Sequence, residues 1–312
     1  MKQSTLQANG LEFTLIQIGS GPNLGLFVHG FPDDAGSMIP LMERFANTGF
    51  TCYAPYLRGY SDGSIPPAVK EENKKTVSIF ELADDLRSIL LKLHEERQWK
   101  QTLLLGHDWG SIAAYGLANL SPNSISVLAA LSVPPLPIFL RNLLMHPAQL
   151  LRSWYILFFQ LRFGIPERAI LKPNGGLLRK FWRDWSPGWN FPEDRFQEVL
   201  QTLKDPIRLR TALGYYRGLI TPESLKDWNR SRRLLFRKIQ VPSILLSGNK
   251  DRCIHPSSFS GLDSAFSAPF QFFKIQKAGH FLPLEAPDQV FTLVNSFWIH
   301  RTNDLVQVGK KP

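Results

Sequence analysis

Three polar side chains stand where short apolar runs end. Asp108 lies in Leu-Leu-Leu-Gly-His-Asp-Trp-Gly-Ser (103–111), Asp251 closes Leu-Leu-Ser-Gly-Asn-Lys-Asp (245–251), and His280 sits in Lys-Ala-Gly-His-Phe (277–281). Glycines two before and two after Asp108 allow a sharp strand-to-helix turn that presents the central side chain, the frame of a nucleophile elbow. Serine there would suit ester hydrolysis, whereas a carboxylate attacks carbon and itself becomes an ester. The plain alternative is an aspartate capping an ordinary helix. The order nucleophile, acid, histidine argues for chemistry, because a histidine oriented by a carboxylate can activate water against such an ester. His29-Gly30-Phe31-Pro32 follows the apolar run Leu24 to Val28. A turn of this kind aims a backbone N–H beside the elbow, so the N–H groups of Phe31 and Trp109 form a candidate oxyanion hole.

These residues need a scaffold that gathers strand ends. Apolar runs at Leu11 to Ile18, Leu24 to Val28, Thr51 to Tyr56, Gln101 to Leu105 and Ile125 to Leu131 read as strands, the first two as neighbours joined by a tight turn. Met38 to Ala46, Ser78 to Glu96 and Trp109 to Leu120 between them read as helices. The alternation predicts an α/β protein with a mostly parallel central sheet and helices on both faces. From about Pro134 to Val241 the pattern is helical throughout. Strands then return at Ser243 to Ser247 and Phe270 to Ile275, with helices near Ser257 to Phe266 and from Ala286 to Arg301. The expected organisation is a core of residues 1–133 and 242–312 with a helical lobe, 134–241, inserted in it, and a frayed tail from Val306 to Pro312.

Composition narrows the classes. The chain has 312 residues, 44% hydrophobic and 20% charged, which excludes disordered and fibrous architectures. Prolines 134, 135 and 137 and Arg141 interrupt its most apolar stretch, so no membrane span is expected, and the N-terminus lacks the apolar centre of a secretory signal, which points to the cytoplasm. Cys52 and Cys253 read as buried thiols. The net charge of +10 is concentrated in one segment: Ile138 to Ile239 holds 19 Lys and Arg against 8 Asp and Glu. Tryptophans are interleaved there, but no nucleic-acid module accompanies them, and a helical lobe with solvated arginines is the expected reading.

With all four motifs in order, the sequence resembles the α/β-hydrolase superfamily and, within it, the epoxide hydrolases, over nearly its whole length. The resemblance implies the α/β-hydrolase fold with a cap over the site, and two cap tyrosines that hold and protonate an epoxide oxygen. Trp154-Tyr155-Ile156-Leu157-Phe158-Phe159-Gln160 and Leu213-Gly214-Tyr215-Tyr216-Arg217 are similar to the segments that carry them, which implies Tyr155 and Tyr216, with Tyr215 the alternative for the second. It also implies substrate contacts from His29, Pro32, Trp154, Phe159 and Tyr215. Expected partners are water and a small apolar or aromatic epoxide, with no cofactor, metal, nucleic acid or membrane, in a monomer or homodimer. Two departures stand out: Ser111, where many relatives have glycine or alanine, and Asp33-Asp34-Ala35-Gly36-Ser37, where many have a tryptophan-containing stretch. The rival enzyme is a haloalkane or haloacid dehalogenase, which would use the same acid, histidine and acid but needs N–H donors for halide; Tyr155 and Tyr216 suit an alkoxide instead. A non-catalytic binding protein of the same fold would be expected to have lost a triad member, and none is lost.

Overall fold

The computed structural model describes residues 1–71, 76–145, 147–220 and 225–308. Eight strands form one sheet: β1 (Lys2–Ala8), β2 (Leu11–Gly19), β3 (Asn23–Val28), β4 (Phe50–Pro55), β5 (Thr102–His107), β6 (Val127–Leu131), β7 (Ser243–Gly248) and β8 (Phe270–Ile275). Their order is β1-β2-β4-β3-β5-β6-β7-β8; β1–β2 and β2–β4 pair antiparallel and every other ladder is parallel. Strands β5, β6 and β7 are buried at every residue and β3 at all but its first, as expected of parallel strands covered on both faces. One face packs on helices Ile79–Glu96 and Trp109–Leu120, the other on helices Ile39–Ala46 and Pro287–Val308. Ser78 starts the first of these with a reciprocal cap, its Oγ accepting from the Glu81 N–H and Glu81 accepting from the Ser78 N–H.

Four expectations are corrected. Strands β2 and β3 are not neighbours, because both edges of the central β3 take parallel partners and β4 lies between the two. β1 is an additional edge strand whose polar, mostly exposed residues carry no burial pattern to read. The helix expected over Ser257 to Phe266 is two short 3-10 turns, Pro256–Phe259 and Leu262–Ala265, separated at Gly261 with φ +77°. The tail does not fray at Val306: the last helix runs to Val308, and 309–312 lie outside the described residues.

Between β6 and β7 every described regular element is a helix, from Leu136–Met145 to Leu225–Leu235. Parallel strands deliver their carboxyl ends to one edge of the sheet. His29, Asp108, Asp251 and His280 follow β3, β5, β7 and β8 at that edge, and the helical lobe lies against it.

Candidate active site

Asp108 occupies the turn between β5 and helix Trp109–Leu120 with φ 52° and ψ −119°, a conformation that costs a non-glycine residue about 1–3 kcal/mol. The elbow closes only because its neighbours lack Cβ atoms. A methyl on Gly106 would stand 2.3 Å from the Gly110 carbonyl oxygen, one on Gly110 2.1 Å from that of Val28, and one on Gly30 2.5 Å from Asp108 itself. Ser111 Oγ donates to the carbonyls of Gly106 and Leu131 at 2.8 and 2.9 Å and accepts from the Leu131 N–H at 3.0 Å. This departure from the family pattern thus ties the elbow helix to β5 and β6.

The three polar side chains meet. The Phe31 N–H donates to Asp108 Oδ1 at 2.9 Å, the Phe31–Pro32 peptide being cis. His280 Nε2 lies 3.4 Å from Asp108 Oδ2, and its Nδ1 bonds Asp251 Oδ2 at 2.9 Å. Asp251 Oδ1 accepts from the N–H groups of Cys253 (2.7 Å) and Ile254 (2.9 Å). Burial opposes charge on His280, but Asp251 first and then Asp108 outweigh it and raise the ring to about 10. At neutral pH the imidazolium is therefore held between two carboxylates. His107 behind it is driven down to about 3 by burial and by the His280 charge; its Nε2 donates to the His280 carbonyl at 2.8 Å, which Ser132 Oγ also reaches at 2.7 Å.

Above the elbow, Tyr155 and Tyr216 line a cavity of about 60 Å³ together with Asp108 and Trp109, their rings 5.7 Å apart at 83°. Burial, reinforced by nearby acidic groups, pushes both phenols well above the ordinary range, so both keep their protons. Tyr155 Oη lies 3.4 Å from Cys253 Sγ. The two chain segments are bonded to each other: Gln160 Nε2 donates to the Tyr216 carbonyl at 3.0 Å and Arg217 Nε to the Phe159 carbonyl at 3.0 Å. The glutamine after one tyrosine and the arginine after the other thus fix the pair.

The remaining expected residues fall elsewhere. The Tyr215 hydroxyl donates to the Arg58 carbonyl at 2.6 Å, away from the cavity. His29 is buried, accepts from the Leu57 N–H at Nε2 (3.0 Å) and packs on Tyr60, and Pro32 accepts from the Trp182 indole at 2.8 Å. Phe159 stands behind the tyrosines, 5.0 Å from Tyr216 and 5.8 Å from Tyr155. Trp154 is 44% exposed and lines a separate outer groove, because a helix turns adjacent residues about 100° apart and Tyr155 takes the inward position. Of the expected substrate contacts, these five therefore lie outside the lining of the cavity that holds Asp108.

Sequence reasoning missed how the lobe braces the strand ends. The His280 N–H donates to Ser186 Oγ (2.8 Å), which donates to Glu285 (2.8 Å). Arg152 donates to the Asp251 carbonyl at 2.9 Å, and Gln149 to that of Cys253 at 3.0 Å. Asp34, in the stretch that departs from the family, accepts from Arg195 and from Thr202 (2.6 Å) on helix Glu193–Leu203. Beside it, burial first and then Asp34 raise Asp33 to about 7, against the pull of Arg195. No pairwise spacing in the chain signals these contacts. Cys52 and Cys253 are both buried free thiols.

A mostly parallel sheet with an elbow acid, a second acid and a histidine at its strand ends is the arrangement of an α/β hydrolase, and the sequence profile of the Alpha/beta hydrolase family matches residues 26–293; the chain belongs to that family. Among its relatives, epoxide hydrolase A of Mycobacterium tuberculosis is 27% identical over 94% of this chain and 95% of its own, and human epoxide hydrolase 4 is 26% identical over 94% and 77%. A crystal structure of Bacillus megaterium epoxide hydrolase with an inhibitor superposes with TM-score 0.78 at 25% identity, covering 95% of this chain and 99% of that one.

Proposed function

We propose that the protein converts an epoxide to a vicinal diol through a covalent ester on Asp108, with residues 134–241 acting as the cap. The observation that carries this reading is the pair of buried, protonated tyrosines lining the same cavity as the elbow carboxylate. Displacement of halide needs no proton donor, whereas an alkoxide does.

Asp108 Oδ2 attacks a ring carbon and the C–O bond breaks on the far side. Tyr155 or Tyr216 gives its proton to the departing oxygen and is left as a phenolate, stabilised by its partner's hydroxyl. Esterification removes the Asp108 charge, one of the two that hold the His280 proton, so the imidazolium gives up that proton, which returns to the phenolate, and the neutral ring becomes a base once the ester has formed. His280, oriented by Asp251, takes a proton from water as its oxygen adds to Cγ of Asp108. Oδ1, already facing the Phe31 N–H, carries the negative charge, and the Trp109 N–H at the free end of its helix is the second donor. Collapse expels the diol oxygen, which takes the proton from His280. The new carboxylic acid gives its proton to His280, restoring the imidazolium between the two carboxylates. No cofactor or metal takes part.

The cavity is mainly apolar and smaller than an ordinary ligand site, so a small apolar epoxide suits it best, and larger ones require the aromatic wall to shift. A diol assay across a panel of aliphatic and aryl epoxides, with a haloalkane control, tests the reading. Diol from at least one epoxide without comparable halide release is expected; halide release alone would replace it with the dehalogenase.

A further inference from the structure

Fifteen large apolar side chains are exposed among the described residues, and eight of them crowd between Met145 and Ile165. Leu151 is 78% exposed, Leu157 68% and Phe163 87%; Leu150, Trp154 and Leu161 are exposed as well. Leu150, Trp154, Leu157 and Leu161 recur at helical spacing across helices Pro147–Arg152 and Trp154–Phe158 and the turn beyond. Phe163 is held outward with φ 61°, in the left-handed region that a bulky residue avoids, and Gly164 follows at φ 66°. An exposed apolar patch this concentrated marks a contact surface.

Its surroundings select the partner. No Asp or Glu occurs between Asp108 and Glu167, while Arg141, Arg152 and Arg162 do. Beside Trp154 opens a groove of about 590 Å³ bearing Arg152, Lys180, Arg183 and Arg252, with Asp184 as its single carboxylate. We propose that this face docks the protein on an anionic phospholipid surface, the apolar side chains entering the headgroup boundary and the cations meeting lipid phosphates. A second copy of the chain fits less well, since it would set two lobes, each with 19 basic and 8 acidic residues, against one another. Among the described residues no helix is long and apolar enough to cross a membrane, so the contact lies at the surface. It replaces the expectation of no membrane partner. On the epoxide reading, the same face draws in substrate: helix Trp154–Phe158 turns Tyr155 and Ile156 to the cavity while Trp154 and Leu157 stay exposed.

The test is flotation of the full chain with vesicles of phosphatidylcholine alone or mixed with phosphatidylglycerol. Wild-type protein is expected to float with the mixed vesicles and to be released by salt. A Leu157→Asp, Phe163→Asp double variant is expected to lose at least about tenfold in vesicle affinity. Its unfolding temperature and diol formation from a water-soluble epoxide should match wild type, since both side chains are mostly exposed and neither lines the cavity. Equal flotation of the variant, equal flotation on phosphatidylcholine alone, or no flotation of wild type at low salt overturns the proposal. So does a wild-type dimer that the variant breaks without vesicle binding. An Asp108→Asn protein should float like wild type, which separates this proposal from the catalytic one.

Discussion

At the strand ends, His280 has a hydrogen-bond partner at its N–H, its carbonyl and its Nδ1, and Asp251 has one at each carboxylate oxygen. In the helical lobe, the backbone of the Tyr155 and Tyr216 segments is hydrogen-bonded, but the two side chains themselves are bounded chiefly by rings: Phe159, Phe181 and Trp185 lie within 5.8 Å of Tyr155, and Phe31, Trp109 and Phe159 within 5.4 Å of Tyr216. Directional bonds specify one geometry, whereas packed rings define a volume and leave small shifts inexpensive. The region that must place a charge to a fraction of an ångström uses the first device. The region that must admit and release a substrate uses the second.

The comparison can be broken most severely at the elbow. Asp108→Ala should abolish diol formation, a loss of at least about 10⁴-fold, while thermal unfolding stays cooperative; residual turnover near wild type would remove the covalent mechanism. His280→Gln should stop turnover to a similar extent yet still react once, and mass spectrometry should find the protein heavier by one substrate. In the lobe, Tyr155→Phe and Tyr216→Phe should each slow ester formation by about 10²-fold or somewhat less, because either hydroxyl partly covers for the other, and the double change should nearly stop it in single-turnover kinetics. Ser186→Ala, which removes the lobe's bond to the His280 N–H, should cost about 1–3 kcal/mol of stability by denaturation and slow hydrolysis more than ester formation.

The smallest effect concerns pH. His280 lies at about 10 rather than its usual 6.5, so its contribution to stability is complete below about 6.5 and is lost as pH rises through about 10. Melting temperature should decline across that window. Asp108→Asn, which removes one of the two neighbouring charges, should flatten the decline and lower the ring's midpoint in an NMR titration.

The strand-end placement of Asp108, Asp251 and His280 was legible because each follows a short apolar run, and runs of that kind fix where a parallel strand stops. The lobe was legible as helical but not in its contacts. Tyr215 and Tyr216 are indistinguishable by type and separated by one helical step; what divides them is the Arg58 carbonyl, 157 residues away, which takes the Tyr215 hydroxyl. Ser186, Gln149 and Arg152 were silent for the same reason, since their partners lie 94 to 104 residues along the chain. The β2–β3 adjacency failed differently, because a short turn implies neighbours only where the strand beyond it keeps an edge free.

Helix Trp154–Phe158 is five residues long, with Tyr155 on the cavity and Trp154 and Leu157 exposed. Its two faces are locked in phase. Inserting or deleting a single residue just before it would rotate every later position by about 100° and exchange cavity for surface. Point substitutions can retune either face independently, but length variation cannot, so grafting or recombining lobes among relatives requires crossover points that preserve the residue count up to Tyr155.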